Sequence, residues 1–200
     1  MFTGIIETMG RVVSAEQKGS SRVFWVESAI SAQLKADQSL SHEGICLTVE
    51  EVDGNRHRVT AIEETLNKTT SGQWAAGTPL NLERCVSANG RFDGHFVTGH
   101  VDGTGQCVSL ENRNGSYLFR FRFPEEQAHL VIEKGAICIN GTSLTIFDVT
   151  RNEFSVAIIP YTWQHTTIQF LQPGQPVNLE FDMIGKYLHR RFQLEQDQKS

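Results

Sequence analysis

The sequence carries one pattern of residues twice. Residues 42–59 read HEGICLTVEEVDGNRHRV and residues 139–156 read INGTSLTIFDVTRNEFSV, and six of their positions are identical at an offset of 97. The same offset superimposes GTPLNLE at 77–83 on GQPVNLE at 174–180. A unit of this length is too long for a solenoid or propeller repeat and has the size of a small domain. The chain is therefore predicted to contain two copies of one fold.

The bulk composition is that of an ordinary globular protein of 200 residues, with 39% hydrophobic and 20% charged residues. The net charge of −5 argues against a nucleic-acid surface. We find no N-terminal signal peptide and no stretch long enough to span a membrane. The four cysteines have no CxxC spacing, so we interpret them as reduced thiols and predict a cytoplasmic protein.

No metal and no cofactor are predicted. His95 and His100, with Asp93 and Asp102 nearby, form a candidate cluster, but no spacing matches a structural zinc pattern. The sequence also lacks the Walker A, GxGxxG, GxSxG and HExxH motifs, which removes the commonest nucleotide-binding, hydrolase and metalloprotease interpretations.

Strand signals dominate both copies. Short β-branched and aromatic runs, separated by Gly turns such as Asp53-Gly54-Asn55, indicate a small antiparallel sandwich or barrel in each copy. The segments Ser28–Leu34 and Glu125–Ile132 are each predicted to form one helix across an end of the barrel. The predicted strands cover residues 22–28, 45–52, 57–63, 79–86, 117–123, 136–140, 143–149, 154–159 and 176–181.

The C-terminal tail changes to a helical pattern. Asp182 is a candidate N-cap, and apolar residues recur at helical spacing at Ile184, Tyr187 and Leu188. Past Phe192 the residues are polar and are predicted to fray. The apolar face needs a cover, either copies of this helix from other subunits or the chain's own barrel, and the pattern favours neither.

The two copies differ at chemically important positions. Cys46 aligns with Ser143, and in the matching tripeptides TGI and TGH, Ile5 aligns with His100. A thiol and an imidazole are reactive where the other copy has a hydroxyl and an alkyl group, which indicates two sites of similar shape and unequal chemistry. The alternatives are that Cys46 is a core residue and that His100 is a hydrogen-bonded structural residue.

Four threonines recur in both copies and are predicted at strand ends beside glycine: Thr48, Thr65, Thr145 and Thr162. Their hydroxyls could pair with the polar edge of a flat heterocycle. The alternative is that they reflect the β-propensity of threonine alone.

Seven motifs occur in one order over residues 1–192, namely MFTGII, GICLTV, EETL, DGHFVTGHVDGTG, KGAICINGTSLT, IPYTWQHTT and VNLEFDMIGKY. Together they resemble the riboflavin synthase family of the α-chain type. The resemblance implies an all-β fold of two tandem homologous six-stranded antiparallel β-barrels plus a C-terminal α-helix. It implies one lumazine-binding barrel at 1–95, a second at 96–182, and a helix for trimerisation with a frayed tail at 183–200.

The resemblance also implies a transferase activity. Two molecules of 6,7-dimethyl-8-ribityllumazine dismutate by transfer of a four-carbon unit, which gives riboflavin and 5-amino-6-(D-ribitylamino)uracil. The family needs no metal and no organic cofactor. It implies a homotrimer whose active site lies between the first barrel of one subunit and the second barrel of another. An association with lumazine synthase is left open.

Site residues carry over from the resemblance at matching positions. Phe2 is expected to stack on the ring system, Cys46 or a water that it positions to act at the donor or acceptor carbon, and His100 to move protons at a substrate methyl group. The catalytic set is Phe2, Ser39, Cys46, Thr48, His100 and Asp182. The substrate-binding set is Gly4, Ile5, Ile6, Cys46, Leu47, Thr48, Ile62, Glu64, Thr65, Gly99, His100, Val101, Lys134, Ser143, Leu144, Thr145, Ile159, Pro160 and Thr162.

Three positions depart from the family pattern. Glu43 stands where Asn is common, Asn140 where Asp is usual, and Tyr161 where His or Glu is common. Because Glu suits a tight turn less well than Asn, the loop before Cys46 is expected to differ. Asn140 is expected to remove a charge beside the pocket of the second barrel.

Two other protein classes compete with this interpretation. The lumazine- and flavin-binding fluorescent proteins share the fold but are catalytically silent, having lost the GH and CLT residues that this chain keeps as Gly99-His100 and Cys46-Leu47-Thr48. An FAD-binding barrel of an oxidoreductase would need an R-x-Y-S-like strand and an appended nucleotide domain, and the sequence has neither. The enzyme is therefore preferred.

Overall fold

Each half of the chain closes into its own β-barrel. The structure is a computed structural model that describes residues 1–198, and each barrel has six antiparallel strands. The first consists of β1 Thr8–Lys18, β2 Ser21–Glu27, β3 Ser39–His42, β4 Ile45–Asp53, β5 Arg56–Ala61 and β6 Pro79–Arg84. The second consists of β7 Gly103–Asn112, β8 Tyr117–Arg122, β9 Ala136–Ile139, β10 Thr142–Phe147, β11 Glu153–Ile158 and β12 Pro176–Phe181. The strand order is β1-β2-β5-β4-β3-β6 in the first and β7-β8-β11-β10-β9-β12 in the second, so the predicted pair of homologous six-stranded barrels is confirmed.

Alternating apolar and polar residues explain the strands that were predicted. On β8, Phe119 and Phe121 are fully buried in the second barrel. Arg120 and Arg122 point outward and each pairs with Glu153 on β11 at 2.7 Å. Because successive side chains of a strand face opposite sides, one face of the sheet closes over a core and the other meets water.

Three strands, β1, β3 and β7, are absent from the predicted set. β1 and β7 each contain an irregularity, between Val12 and Ser14 and between Cys107 and Ser109, and such a bulge interrupts the alternation. β3 reads SLSH and is too short and polar to stand out, but it pairs with β4 on one side and β6 on the other. Pairing with distant strands therefore decides its structure.

Thr65 and Thr162 lie within two short helices, α1 at Glu63–Lys68 and α2 at Pro160–His165, and the prediction that they end strands is wrong. Acidic residues in the first turn of α1 and a proline at the start of α2 favour a helix there.

Two further local predictions need correction. Thr48 and Thr145 lie inside β4 and β10 rather than at strand ends. The helices predicted across the barrel ends are short 3₁₀ turns, at Ser31–Gln33 and Glu125–Leu130. Their brevity agrees with the poorer hydrogen-bond geometry of the 3₁₀ helix.

The C-terminal helix, α3, spans Met183–Asp197. Asp182 caps it as predicted, since its Oδ1 accepts a hydrogen bond from the backbone nitrogen of Ile184 at 2.9 Å. The helix continues past Phe192 to Asp197, because its Gln, Leu and Glu residues favour helix and Arg191 pairs with Glu195 one turn later at 2.9 Å. Fraying of the tail stays a prediction. The last two residues of the predicted tail lie outside the described residues.

One side of α3 contacts the second barrel of its own chain. His189 stacks on His129 with 3.6 Å between ring centroids, and Lys186 pairs with Asp102 at 2.6 Å. The exposed apolar residues of the helix are Ile184, Tyr187, Leu188, Phe192 and Leu194. The helix therefore touches its own barrel and still presents an uncovered apolar face. No helix within residues 1–198 is both long and apolar enough to span a membrane.

The two barrels meet backbone to backbone at a pair of matching turns. Gly44 and Gly141 have φ angles of 80° and 82°. A Cβ atom on Gly44 would lie 2.7 Å from the backbone nitrogen of Gly141, and the reverse distance would be 2.8 Å. Any side chain at either position would force the turns apart, and only glycine adopts this φ without strain.

Two asparagines of the repeated NLE segments reinforce this contact. The Nδ2 of Asn81 donates to the carbonyl of Asn140, and the Nδ2 of Asn178 donates to the carbonyl of Glu43, both at 2.9 Å. The Oδ1 of each asparagine accepts a backbone N–H from a 3₁₀ turn of the other barrel at 2.8 Å. The repeated asparagines thus form a symmetric set of hydrogen bonds between the barrels.

Glu43 and Asn140 occupy equivalent places in this interface, with φ angles of 50° and 47°. The Oε1 of Glu43 accepts from the backbone nitrogen of Asn81 at 2.5 Å and from Oγ1 of Thr167 at 2.9 Å, whereas the Oδ1 of Asn140 accepts from the backbone nitrogen of Asn178 at 2.7 Å. The two turns therefore match in backbone shape, and both side chains bond the backbone of the interface asparagines. The expected differences from the family in this loop and in pocket charge stay predictions. Burial raises the pKa of Glu43 to about 8.

The interior of the first barrel contains a chain of hydrogen bonds. The Nε2 atoms of His42 and His57 lie 2.8 Å apart, and Nδ1 of His57 lies 2.8 Å from Oγ of Ser31. Because Nδ1 of His42 lies 3.1 Å from the carbonyl oxygen of Leu40, it carries the proton, and Nε2 of His42 accepts from His57.

Both imidazoles are neutral, since burial lowers the pKa of His57 to about 4 and that of His42 well below its usual value. The second barrel has Ile139 and Phe154 at the matching positions, both in its apolar core. One scaffold therefore accepts either a polar pair or an apolar pair in the same space.

Replacing Glu43 with Gln is expected to change how stability depends on pH. The raised pKa means that the wild-type chain loses stability as pH rises from about 4.5 to about 8, because the unfolded carboxyl ionises first. The free energy of unfolding of Glu43→Gln, relative to that of the wild type, should therefore rise by up to about 1.4 kcal/mol per pH unit over this window and stay constant above it. Chemical denaturation at several pH values measures this, and a difference independent of pH would contradict it.

Exchanging the buried histidines for the residues of the second barrel is expected to be strongly non-additive. His42→Ile or His57→Phe alone leaves one buried imidazole nitrogen without its partner, which costs about 1–3 kcal/mol. The double variant should lose less free energy of unfolding than the two single variants lose together. The wild type loses free energy of unfolding as pH falls below about 6.5, because His57 binds a proton in the unfolded state but stays neutral when folded. The double variant lacks both histidines and should not show this loss. Additive losses in denaturant titrations would refute this.

Candidate active site

A cavity of about 300 Å³ lies on the outer face of the first barrel, between β4, α1 and the segment that leads into the second barrel. Cys46 faces outward from β4, whereas its neighbour Leu47 points into the core. The lining residues are Ile45, Cys46, Glu64, Thr65, Lys68, Thr69, Gly99, His100 and Val101. Of this lining, only Ile45, Lys68 and Thr69 were not predicted.

His100 comes from the second half of the chain but completes the cavity on the first barrel. The carbonyl of Gly99 accepts a hydrogen bond from the backbone nitrogen of Cys46 at 2.8 Å. Gly99 has a φ of 78°, and a Cβ atom there would lie 2.6 Å from Cβ of Cys46, so a side chain would prevent this approach. The backbone nitrogen of His100 donates to Oγ1 of Thr98 at 3.2 Å. The fold thus brings Cys46 and His100 together.

The thiol of Cys46 is a hydrogen-bonding group rather than a thiolate. Burial raises its pKa above the usual value, and a hydrogen bond with Ser39 opposes this only in part. A protonated thiol is a weak donor and a poor nucleophile. Ser39 pairs with Thr48 across β3 and β4, so Ser39, Cys46 and Thr48 share the outer face of the barrel.

Phe2 is an interior residue. Its side chain is fully buried and packs against Val97, Cys138 and Cys46, and its backbone nitrogen donates to the carbonyl of Val97 at 2.7 Å. Neither face of its ring is open in this structure, and the stacking of Phe2 on a bound ring stays a prediction. The side chain lies behind Cys46, between the two barrels.

The second barrel has a matching site with different side chains. The backbone nitrogen of Ser143 donates to the carbonyl of Gly4 at 2.8 Å, which repeats the contact seen in the first barrel. Gly4 has a φ of 76°, and a Cβ atom there would lie 2.6 Å from Cβ of Ser143. The Oγ of Ser143 lies 2.6 Å from Nδ1 of His95, and Ile5, 49% exposed, takes the place of His100.

Asp182 lies on the side of the second barrel. Burial lowers the pKa of His95, and the charge of Asp182 opposes that shift, so these two side chains are close. Lys134 is exposed, with its Nζ 4.9 Å above the ring of Phe147. Within residues 1–198, no group of three or more His, Cys, Asp or Glu side chains has a metal-binding arrangement.

The remaining predicted residues differ in how much they can offer a ligand. Ile62 and Ile159 stand just before α1 and α2 and are 57% and 58% exposed. Leu47 and Leu144 pack into the barrel cores, so mainly their backbone atoms are available. Partly or fully exposed side chains belong to Ile6, Thr145, Pro160 and Thr162.

A second cavity of about 480 Å³ adjoins the first and brings α3 to the site. The two cavities share Lys68, His100 and Val101, and α3 contributes Lys186 and Arg190 to the larger one. Sequence reasoning missed these basic residues, because lysine and arginine on a short amphipathic helix are usually no more than its solvated face.

Comparison with known proteins agrees with this geometry. The profile of the Lumazine binding domain family matches the chain twice, over residues 3–85 and 98–182. The riboflavin synthases of Actinobacillus pleuropneumoniae and Bacillus subtilis are 36% and 37% identical to this chain, each over 95% of it and 89% of the relative. The riboflavin synthase of Saccharomyces cerevisiae is 34% identical over 97% of this chain and 87% of its own length.

Solved structures of LumP share the fold. LumP complexed with riboflavin superimposes with a TM-score of 0.84 at 20% identity, covering 90% of this chain and 99% of LumP. LumP complexed with 6,7-dimethyl-8-(1'-D-ribityl) lumazine gives 0.83 at 18% identity with the same coverage. At this identity the likeness concerns the fold alone, whereas the relatives in sequence are enzymes. The chain is therefore a transferase-type enzyme built from two lumazine-binding domains, and it belongs to the riboflavin synthase family.

Proposed function

We propose that this chain catalyses the dismutation of two molecules of 6,7-dimethyl-8-ribityllumazine, in which one molecule transfers a four-carbon unit to the other. The products are riboflavin and 5-amino-6-(D-ribitylamino)uracil. The observation that carries the proposal is the pair of matching sites at Cys46 and Ser143, each resting on the same contact with a glycine carbonyl. The riboflavin synthase relatives, at 34% to 37% identity, support it.

Two matching sites suit a reaction whose two substrates are the same molecule. Each barrel would hold one lumazine. The differences between the sites would make one of these identical molecules the donor of the four-carbon unit and the other its acceptor. Holding two reactants in the correct mutual orientation can supply roughly 7–11 kcal/mol of the barrier. Positioning of the two molecules would therefore contribute substantially to this reaction.

The side chains of the first site suit proton transfer and hydrogen bonding. His100 is an exposed imidazole at the edge of the cavity and would move protons at a substrate methyl group. The protonated thiol of Cys46, with Ser39 beside it, would donate to the ring or position a water molecule. Glu64 and Thr65 on α1 line the same cavity and would contact the ring edge or the ribityl hydroxyls.

The second site would hold its lumazine with a different set of groups. The Ser143–His95 pair offers a hydroxyl and an imidazole, and Ile5 and Ile159 offer apolar surface. Thr162 on α2 corresponds to Thr65 on α1 and would make the matching polar contact.

We also propose a homotrimer in which the complete active site forms between subunits. The uncovered apolar face of α3 supplies a surface for association with copies of itself. Asp182 and Ser143 of one subunit would then face Cys46 and His100 of another. A cytoplasmic location fits the four free cysteines, since disulfides are rare in reducing compartments.

The alternative function is ligand carriage without turnover. The fold shared with LumP, whose structures contain riboflavin and lumazine, favours a ligand-binding role. Retention of Cys46 and His100 in one cavity favours the enzyme. Turnover separates the two functions.

Incubation of the purified protein with 6,7-dimethyl-8-ribityllumazine alone should yield riboflavin at a steady rate, followed by absorbance and fluorescence. His100→Ala should lower kcat by about 100-fold or more, the scale of a lost acid–base group. Cys46→Ser should lower it less, because serine keeps a hydrogen-bond donor. Lys18→Ala, at an exposed residue beside the β1–β2 turn that lines neither cavity, is the control and should keep full activity. Tight lumazine binding by the wild type with no riboflavin formed would identify a carrier instead.

Removal of α3 should dissociate the assembly. A chain that ends at Asp182 should scatter light as a monomer while circular dichroism shows intact barrels, because the strands end before the helix begins. Full-length Tyr187→Glu, which places a charge on the exposed apolar face, should weaken assembly in the same direction. An unchanged oligomer after truncation would remove α3 from this role.

A further inference from the structure

Two buried glutamates hold the turns on which the two sites rest. On β12, Glu180 is 3% exposed. Its Oε1 accepts from the backbone nitrogen and from Oγ1 of Thr98, both at 2.7 Å, and its Oε2 accepts from the backbone nitrogen of Gly99 at 2.9 Å. The carboxyl group of Glu180 thus accepts three hydrogen bonds from two successive residues of one turn.

The turn held by Glu180 reaches across to the first barrel. Gly99 accepts from the backbone nitrogen of Cys46 at 2.8 Å, and Thr98 accepts from the backbone nitrogen of His100 at 3.2 Å. One carboxylate of the second barrel therefore holds the turn whose Oγ1 bonds the backbone of His100 and whose carbonyl bonds the strand that carries Cys46. Although Glu180 borders the larger cavity, both of its oxygens are occupied by the turn.

We propose that Glu180 is the positioning residue for the first site, acting through the Thr98–Gly99 turn to place His100 against Cys46. This inference rests on the proposed function. The barrel that contains Cys46 does not supply this support, so the site combines side chains of both halves and is aligned by a residue of the second barrel.

The chain contains its own matched control. Glu83 on β6 makes the same three bonds to the other turn, at 2.7 Å and 2.7 Å to the nitrogen and Oγ1 of Thr3 and at 3.0 Å to the nitrogen of Gly4. That turn carries Ile5 instead of a histidine. Glu83 and Glu180 therefore make the same hydrogen bonds to equivalent turns, but only the turn bound by Glu180 carries a histidine.

Glu180→Gln tests the proposal in the full-length enzyme. Glutamine keeps the size and one acceptor oxygen, but its NH₂ group cannot accept from the turn. We expect kcat to fall by about 10- to 100-fold, the scale of a misplaced catalytic group. The dissociation constant of riboflavin should stay within about threefold, since the cavity keeps its lining.

Double variants separate positioning from a general structural effect. In a His100→Ala background, Glu180→Gln should lower kcat by a clearly smaller factor than in the wild type, because there is no imidazole left to place and only the contact with the Cys46 strand can still be disturbed. Glu83→Gln should have the same effect in both backgrounds. An equal effect of Glu180→Gln in both backgrounds, or no effect in the wild type, would overturn the proposal.

A milder variant and a second readout keep the test independent of stability and of turnover. Thr98→Val removes one donor to Glu180 and should show a smaller loss of kcat with the same dependence on His100. NMR signals of the labelled His100 ring, assigned with His100→Ala, should shift or broaden in Glu180→Gln and stay unchanged in Glu83→Gln. Unchanged His100 signals in Glu180→Gln would refute positioning. Absence of riboflavin formation by the wild type would refute the proposed function alone, and the NMR comparison would still decide the role of Glu180.

Discussion

The contact between Gly44 and Gly141 sets how the two barrels face each other, and both sites depend on it. Each glycine precedes a strand, and Cys46 and Ser143 follow two residues later. Each of these residues then bonds through its backbone to the turn of the opposite half. Since a Cβ atom at either glycine would collide with the other turn, a side chain at either position would separate the barrels and move both sites.

Around that contact, the same backbone hydrogen bonds and the same asparagine and glutamate side chains recur in both halves, while the side chains of the cores and sites differ. The first barrel encloses two hydrogen-bonded histidines where the second encloses Ile139 and Phe154. On the outer faces, a thiol stands where the other copy has the hydroxyl of Ser143. The matching turns, asparagines and glutamates are kept in both halves. A scaffold that is symmetric in its backbone therefore supports two environments that are unequal in their chemistry.

Periodicity and repetition made much of this architecture predictable. The internal repeat predicted two equal domains, and comparison of the copies identified Cys46 and His100, which the fold brings into one cavity. Features that depend on distant partners were not predictable in this way. β3 has no strand signal of its own, and the burial of Phe2 follows from its pairing with Val97. Glu180 was visible only as part of a repeated NLE, because the turn that it binds lies about eighty residues earlier.

The crossed support of the two sites has a consequence for what a duplication makes possible. Two separate copies of one barrel, paired by symmetry, would present the same residue at every equivalent position. Both barrels would then meet a turn that bears histidine, and both would carry the same thiol. Joining the copies in one chain removes that restriction while keeping the geometry, so that His100 and Ile5 can occupy equivalent turns of a single molecule. Covalent linkage here is what allows two sites of common descent to become different from each other.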